Sequence, residues 1–284
     1  MNSLETFFDP KTSTLTYIVF NSEKSEAVII DPVWDLDFAS GKLSEESHDK
    51  VKFFLSSHKL NPILVLETHA HADHLSGAVL FKRDFPEIKV AIGEHITEVQ
   101  KTFAPVFNIK DLKCDGSQFD ILLKDDQDFE YSSFKMKVFH TPGHTPACSS
   151  YLIGDHLFSG DALFMPDSGT GRCDFPKGSA RDLYHSIMKI YQLPDDIKVH
   201  PGHDYQPNNR ELKSQATIAD HKKENIQIKA KTSEAEYIKF REDRDKTLAA
   251  PKLLYPSIQV NIRAGELPPV EDNDKAYLKI PLNK

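Results

Sequence analysis

The chain is poor in the residues that mark several protein classes. Only three of its 284 residues are cysteine (Cys114, Cys148 and Cys173), and no two form a CxxC pair. That leaves no disulfide framework and points to a reducing compartment, so a cytoplasmic location is the expectation. No apolar run approaches the length of a bilayer span, which argues against a membrane protein. The opening Met1-Asn2-Ser3-Leu4-Glu5 has neither the basic nor the apolar region of a secretory signal. Positive charge is not in excess: 35 Lys and Arg stand against 43 Asp and Glu, a formal net charge of −8. Such a balance argues against a nucleic-acid surface, which needs clustered cations. The single tryptophan, Trp34, falls in a stretch read as a loop and is taken as a packing residue. Hydrophobic and charged fractions of 39% and 27% are ordinary for a soluble globular protein.

What the chain has is concentrated in Thr68-His69-Ala70-His71-Ala72-Asp73-His74. The preceding Ile63-Leu64-Val65-Leu66, entered through Pro62, reads as a short buried strand. Polar donors at the end of such a strand sit where α/β proteins build their sites. One histidine there would be an ordinary surface residue. Three imidazoles and a carboxylate at this density predict a metal site of the zinc or iron type, with no sulfur needed.

The rest of the chain alternates strands and helices. Strands are predicted at Leu15–Phe20, Glu26–Ile30, Lys89–Ile92, Phe134–Phe139, Ser150–Ile153, Leu157–Ser159 and Ile197–Val199. Helices are predicted from about Ser44 to His58, after the histidine cluster, over Glu94–Phe103, and after Ser179 with Leu183, Ile187, Ile190 and Tyr191 on one face. Residues 104–127 read as irregular. Ser233 and Glu236 form a capping box for a helix running to about Leu248, and Pro251 and Pro256 break it before a last apolar run, Ile258–Ile262. The charged stretch 208–248 reads as a solvated helical face. Tyr237, Phe240 and Leu248 nevertheless share its helical spacing and need a surface, either the same domain or a second copy, so a homodimer is one expectation.

Three later donors repeat one pattern. His144, Asp161 and His203 each follow a glycine at a strand end. Taken in order, His69, His71, Asp73, His74, His144, Asp161 and His203 resemble the metallo-β-lactamase superfamily over roughly residues 10–210. The resemblance implies an αββα sandwich, assigned here to residues 1–206, with 207–284 as a C-terminal helical and extended tail on the same domain. Thr141-Pro142-Gly143-His144-Thr145-Pro146, Gly171-Arg172-Cys173-Asp174-Phe175, His203-Asp204-Tyr205 and the segment Pro256–Gly265 are similar to the persulfide dioxygenase and bacterial β-lactamase hydrolase-like branch.

That branch implies one Fe(II) held by His69, His144 and Asp161 as a 2-His-1-carboxylate set. It implies oxidation of glutathione persulfide by O2 to sulfite and thiol, with Tyr205 and Asp204 beside the reaction and Arg172 and Thr145 on the substrate side. Arg172 has a second reading, a structural salt bridge with Asp174. His71, Asp73, His74 and His203 would then support the ligands. The competing implication is a glyoxalase II-like thioester hydrolase using all seven donors on two zinc ions. A non-catalytic metal or thiol sensor is the reading from another class. The partners expected are a small-molecule persulfide and O2, with no nucleic acid and no membrane.

Overall fold

Short runs of branched and aromatic residues, punctuated by Asp, Asn, Gly and Pro, dictate many short strands with helices between them. The computed structural model describes residues 2–282 and divides into two compact units. One holds the residues up to 12, 16–122 and those from 250 onward; the other holds 13–15 and 123–249. The stretch 207–284 is thus shared between the units, changing over at residue 249. Among the described residues no helix is long and apolar enough to cross a membrane.

The first unit begins with β1 (Ser3–Asp9), β2 (Thr14–Asn21), β3 (Glu26–Ile30), β4 (Val33–Asp37) and β5 (Lys42–Ser44). Then come α1 (Glu46–Ser57), β6 (Asn61–Glu67), β7 (Leu75–Ser76), α2 (Ala78–Asp84), β8 (Lys89–Gly93), α3 (Ile96–Val106) and β9 (Ile121–Leu123). Six strands form a mixed sheet ordered β1-β2-β3-β6-β8-β9, and a small sheet runs β5-β4-β7. Strand β6 lies between β3 and β8 and is parallel to both. Its Leu64, Val65 and Leu66 are fully buried, as a strand covered on both faces requires. The Asp31 amide donates to the Leu66 carbonyl (3.0 Å), so the end of β3 is tied to the end of β6.

Two sequence expectations are corrected here. Trp34 lies on β4, paired with Leu75, rather than in a loop. Two aspartates interrupt the apolar pattern of that strand, but Asp35 is buried by accepting from the Ser47 amide and hydroxyl. Residues 104–127 are not wholly irregular, because β9 forms a three-residue edge too short to leave a periodic signal.

The second unit contains β10 (Asp128–Tyr131), β11 (Phe134–His140), β12 (Ser149–Ile153), β13 (His156–Gly160), α4 (Ala180–Ile190), β14 (Lys198–Pro201), β15 (Ala216–Thr217), α5 (Ile218–Glu224) and α6 (Glu234–Asp245). Its six strands pair in chain order. Only β13 and β14 are parallel, and α4 is carried in the crossover that a parallel pair demands. Ser179 caps α4 by accepting from the Asp182 amide, and Leu183, Ile187, Ile190 and Tyr191 are buried in the core as their spacing predicts. A reciprocal Ser233–Glu236 box starts α6, which stops at Asp245, a few residues before Leu248. Tyr237 is fully buried on this helix, whereas Phe240 is 42% exposed.

The last helix, α7 (Leu254–Asn261), belongs to the first unit. Pro256, expected to break a helix, lies instead in the first turn of one, where an N–H makes no intrahelical bond and proline costs little.

Candidate functional site

In the first unit the histidine loop leaves β6 at Glu67. Ring centroids of His69 and His71 are 4.0 Å apart and those of His71 and His74 are 4.1 Å apart, with all three side chains buried. Asp73 is half-buried. The organiser of this loop is Asp31. Its carboxylate accepts from the Thr68 amide (2.7 Å) and the Thr68 hydroxyl (2.8 Å). With its proton spent on Asp31, the Thr68 oxygen accepts from Nδ1–H of His69 (3.0 Å). His74 donates from Nδ1 to the Leu75 carbonyl (3.2 Å), which can only accept. Both rings are thereby held as the tautomer whose Nε2 carries the lone pair a metal needs.

His71 is turned the other way. Its Nε2 faces Asp31 (3.1 Å) and Glu67 (3.5 Å), and its buried Nδ1 has no hydrogen-bond partner among the described residues. Burial works against charge on this imidazole, but the two carboxylates outweigh it and hold it well above the usual histidine range. Burial likewise opposes ionisation of Asp31, yet His71 and the two Thr68 bonds keep it below its ordinary value. Glu67 is pushed up, first by burial and then by the Asp31 charge, and it accepts from the Ser76 hydroxyl.

In the second unit the glycine-then-donor pattern converges on Asp161. Nε2 of His144 lies 3.5 Å from one carboxylate oxygen and Nε2 of His203 lies 3.4 Å from the other. All three side chains are buried. His144 donates from Nδ1 to the Arg172 carbonyl (2.7 Å), which directs Nε2 toward Asp161. Two glycines allow this approach. A Cβ on Gly202 would lie 2.8 Å from Asp161 Oδ1. Gly143 has φ +138°, and a Cβ there would meet the Leu183 backbone at 2.4 Å.

The neighbouring candidates are engaged as follows. Thr145 contacts Cys148 Sγ through its amide (3.3 Å) and hydroxyl (3.1 Å). The Arg172 fork, which the resemblance assigns to a substrate carboxylate, holds Asp174 through two bonds of 2.6 Å and the Ala249 carbonyl through a third of 2.6 Å. The salt-bridge alternative is the arrangement present. Asp204 is buried and takes both terminal nitrogens of Arg210 (2.6 and 2.7 Å) and the Lys213 amide (2.8 Å), so it organises its own loop. Tyr205 is 52% exposed, with its ring stacked on His203 at 5.5 Å.

Helix α6 braces this site from behind. Arg241 is buried and donates to the Thr170 carbonyl (3.1 Å), Gln227 (2.9 Å) and Asp245 (2.6 Å). Asp245 in turn accepts from the Cys173 amide (2.8 Å). The strip 170–173 so fixed supplies the carbonyl that orients His144, and its Gly171 amide donates to the Asp161 carbonyl (3.0 Å).

Residues 10–203 match the family model described as the metallo-beta-lactamase superfamily. The chain belongs to that superfamily. It is 47% identical to "Glyoxylase B2" of Dictyostelium discoideum, over 99% of this chain and 97% of that one. It is 32% identical to the human mitochondrial persulfide dioxygenase ETHE1, over 71% of this chain and 68% of that protein. The crystal structure of ETHE1 from Myxococcus xanthus superposes with a TM-score of 0.74 at 28% identity, covering 93% of this chain and all of that one. The superfamily fold binds metal ions, and the imidazole and carboxylate donors of both units are of the kind it uses.

Three supporting residues escape sequence reading. Asp31 and Glu67 merely follow the predicted strands Glu26–Ile30 and Ile63–Leu66, and Asn261 reads only as part of an apolar run. Asn261 donates to the His71 and His74 carbonyls (both 2.8 Å) across separations of 190 and 187 residues. The one local signal is an acid directly after an apolar strand, which Asp31 and Glu67 both show.

Proposed function

We propose that the chain is an iron-dependent persulfide dioxygenase that oxidises glutathione persulfide, or a related small persulfide, in sulfide detoxification. The observation that carries the reading is the His144–Asp161 pair. The imidazole is locked by a backbone carbonyl and aims Nε2 at a buried carboxylate, which supplies two members of a 2-His-1-carboxylate set. His69, held as the same tautomer through Thr68 and Asp31, is the third donor. A ferrous ion bound by these three would supply the redox chemistry that spin-paired organic sulfur and O2 lack on their own.

The overall reaction balances as R–S–SH + O2 + H2O giving R–SH + SO3²⁻ + 2H⁺. The S–S bond breaks, the terminal sulfur is oxidised and O2 is reduced. The chain's own residues set the surroundings. His203 brings its Nε2 to 3.4 Å from the second oxygen of Asp161. In this reading Tyr205, whose exposed ring stacks on His203, is the residue beside the incoming substrate. Thr145 stands on the substrate side in this reading, whereas the Arg172 fork stays on Asp174 and the Ala249 carbonyl, and Asp204 holds the loop carrying His203 and Tyr205.

A second reading, a two-zinc thioester hydrolase, is favoured by the reversed His71, whose Nδ1 is buried and turned from the carboxylates, as a donor to a second ion would be. The relative named Glyoxylase B2 supports the same alternative. Protein reconstituted anaerobically with iron, or separately with zinc, and assayed with glutathione persulfide and with a glutathione thioester separates the two. Sulfite from the iron form alone supports the dioxygenase. Thioester hydrolysis by the zinc form without sulfite from the iron form rejects it.

A further inference from the structure

We infer that Asn261 is a positioning residue for the histidine loop, so that the C-terminal helix α7 is a working part of the metal centre and not only a covering element. The inference rests on the reading that this loop carries metal ligands: His69 in the one-iron form, and His71 and His74 as well in the two-zinc form. A buried loop that packs three rings against one another leaves backbone groups that must find partners. Asn261, 3% exposed at the end of α7, meets three of them with one planar amide. Its Nδ2 donates to the His71 carbonyl and to the His74 carbonyl, each at 2.8 Å. Its Oδ1 accepts from the Ser76 amide at 2.7 Å. Only a carboxamide offers two donors and an acceptor in this fixed plane; aspartate lacks the donors and leucine lacks both.

The chain that follows closes on the same loop. Gly265 has φ +88°, and a Cβ there would lie 2.9 Å from the Ser76 carbonyl oxygen. The helix end is held from its other side as well, since Gln100 donates to the Ile262 carbonyl (2.9 Å). The carbonyls of His71 and His74 belong to the peptide planes that set where the two rings point. A metal site needs its donors held to within about 0.5 Å, so a residue that fixes those planes governs metal retention without touching the metal.

The test compares wild type with Asn261→Ala, Asn261→Asp and Gln259→Ala. Gln259 sits on the same helix, is equally buried, and spends its amide on Tyr255 and Lys279 instead of on the histidine loop. Each protein is loaded with Zn(II), and release to a chromogenic chelator is followed beside the melting of the metal-free form. Both Asn261 variants should lose zinc about 10- to 100-fold faster than wild type, with Gln259→Ala within about twofold of it, whatever the change in melting. Asn261→Asp keeps the shape and the Ser76 bond and serves if the alanine variant does not fold. Zinc release at the wild-type rate from a folded Asn261 variant, or equal acceleration in Gln259→Ala, overturns the inference. A wild-type chain that takes up neither zinc nor iron overturns the ligand reading itself, and this inference with it.

Discussion

Replacing Arg241 with methionine tests how the candidate site is braced. The guanidinium and its partner Asp245 are 2% and 6% exposed, so the substitution strands a carboxylate away from water. Breaking a buried pair from one side costs about 3–5 kcal/mol. Asp245 keeps the Cys173 amide as a donor, and Gln227 Oε1 keeps the Thr170 amide and hydroxyl, which places the expected loss near the lower end, about 3 kcal/mol. At roughly 2–4 °C per kcal/mol for a chain of this size, the melting point should fall by about 6–12 °C. Urea denaturation near pH 7 gives the free energy directly. The double variant Arg241→Met/Asp245→Asn removes the stranded charge while leaving an acceptor for Cys173, and should regain about half of the loss. A cost under about 1 kcal/mol, or a double variant no more stable than the single one, would refute the view that this pair carries the strip 170–173.

Other consequences are equally direct. Gly143→Ala adds a Cβ at 2.3–2.4 Å from Leu183 at a left-handed φ and should cost at least about 1–3 kcal/mol by thermal melting, with loss of bound metal; a neutral result would mean the loop before His144 is not packed as described. Burial pushes His221 down to about 4 from its ordinary 6.5. Because the folded value lies below the unfolded one, the unfolded chain takes up the proton first, so this contribution is complete above pH 6.5 and is lost as pH falls from there toward about 4. His221→Gln should therefore flatten the drop in urea midpoint between pH 7.5 and 5.5; an unchanged slope would count against a buried neutral imidazole. Arg172→Lys cannot reproduce the fork on Asp174 and should lower the melting point while changing the persulfide KM less than about threefold. A tenfold rise in KM with unchanged melting would instead assign the guanidinium to the substrate.

Much of this architecture is legible in the sequence because its signals are local. The run Ile63–Leu66 announces a buried strand, and the dense donors after it mark the buried histidine loop of the candidate site. Glycines before His144, Asp161 and His203 mark close approaches that the structure shows at Gly143 and Gly202. Ser179 and Ser233 announce helix starts that are realised to the residue. What is not legible is set by distance along the chain or by context. Asp31 becomes the organiser of Thr68, His69 and His71 only once β3 and β6 pair. Asn261 meets the histidine loop from 185–190 residues away. Pro256 is helical because position within a turn, not residue type, decides whether proline breaks it. The polar partners of Arg172 lie two and 77 residues away, and only the nearer one was visible as an alternative.

The most direct test of the proposed activity is oxygen uptake by anaerobically iron-loaded protein on addition of glutathione persulfide, with sulfite assayed in the same vessel. The account predicts rapid uptake, one O2 consumed per sulfite formed, and loss of both in His144→Ala. Protein confirmed to hold one iron per chain that consumes no oxygen and forms no sulfite would contradict it.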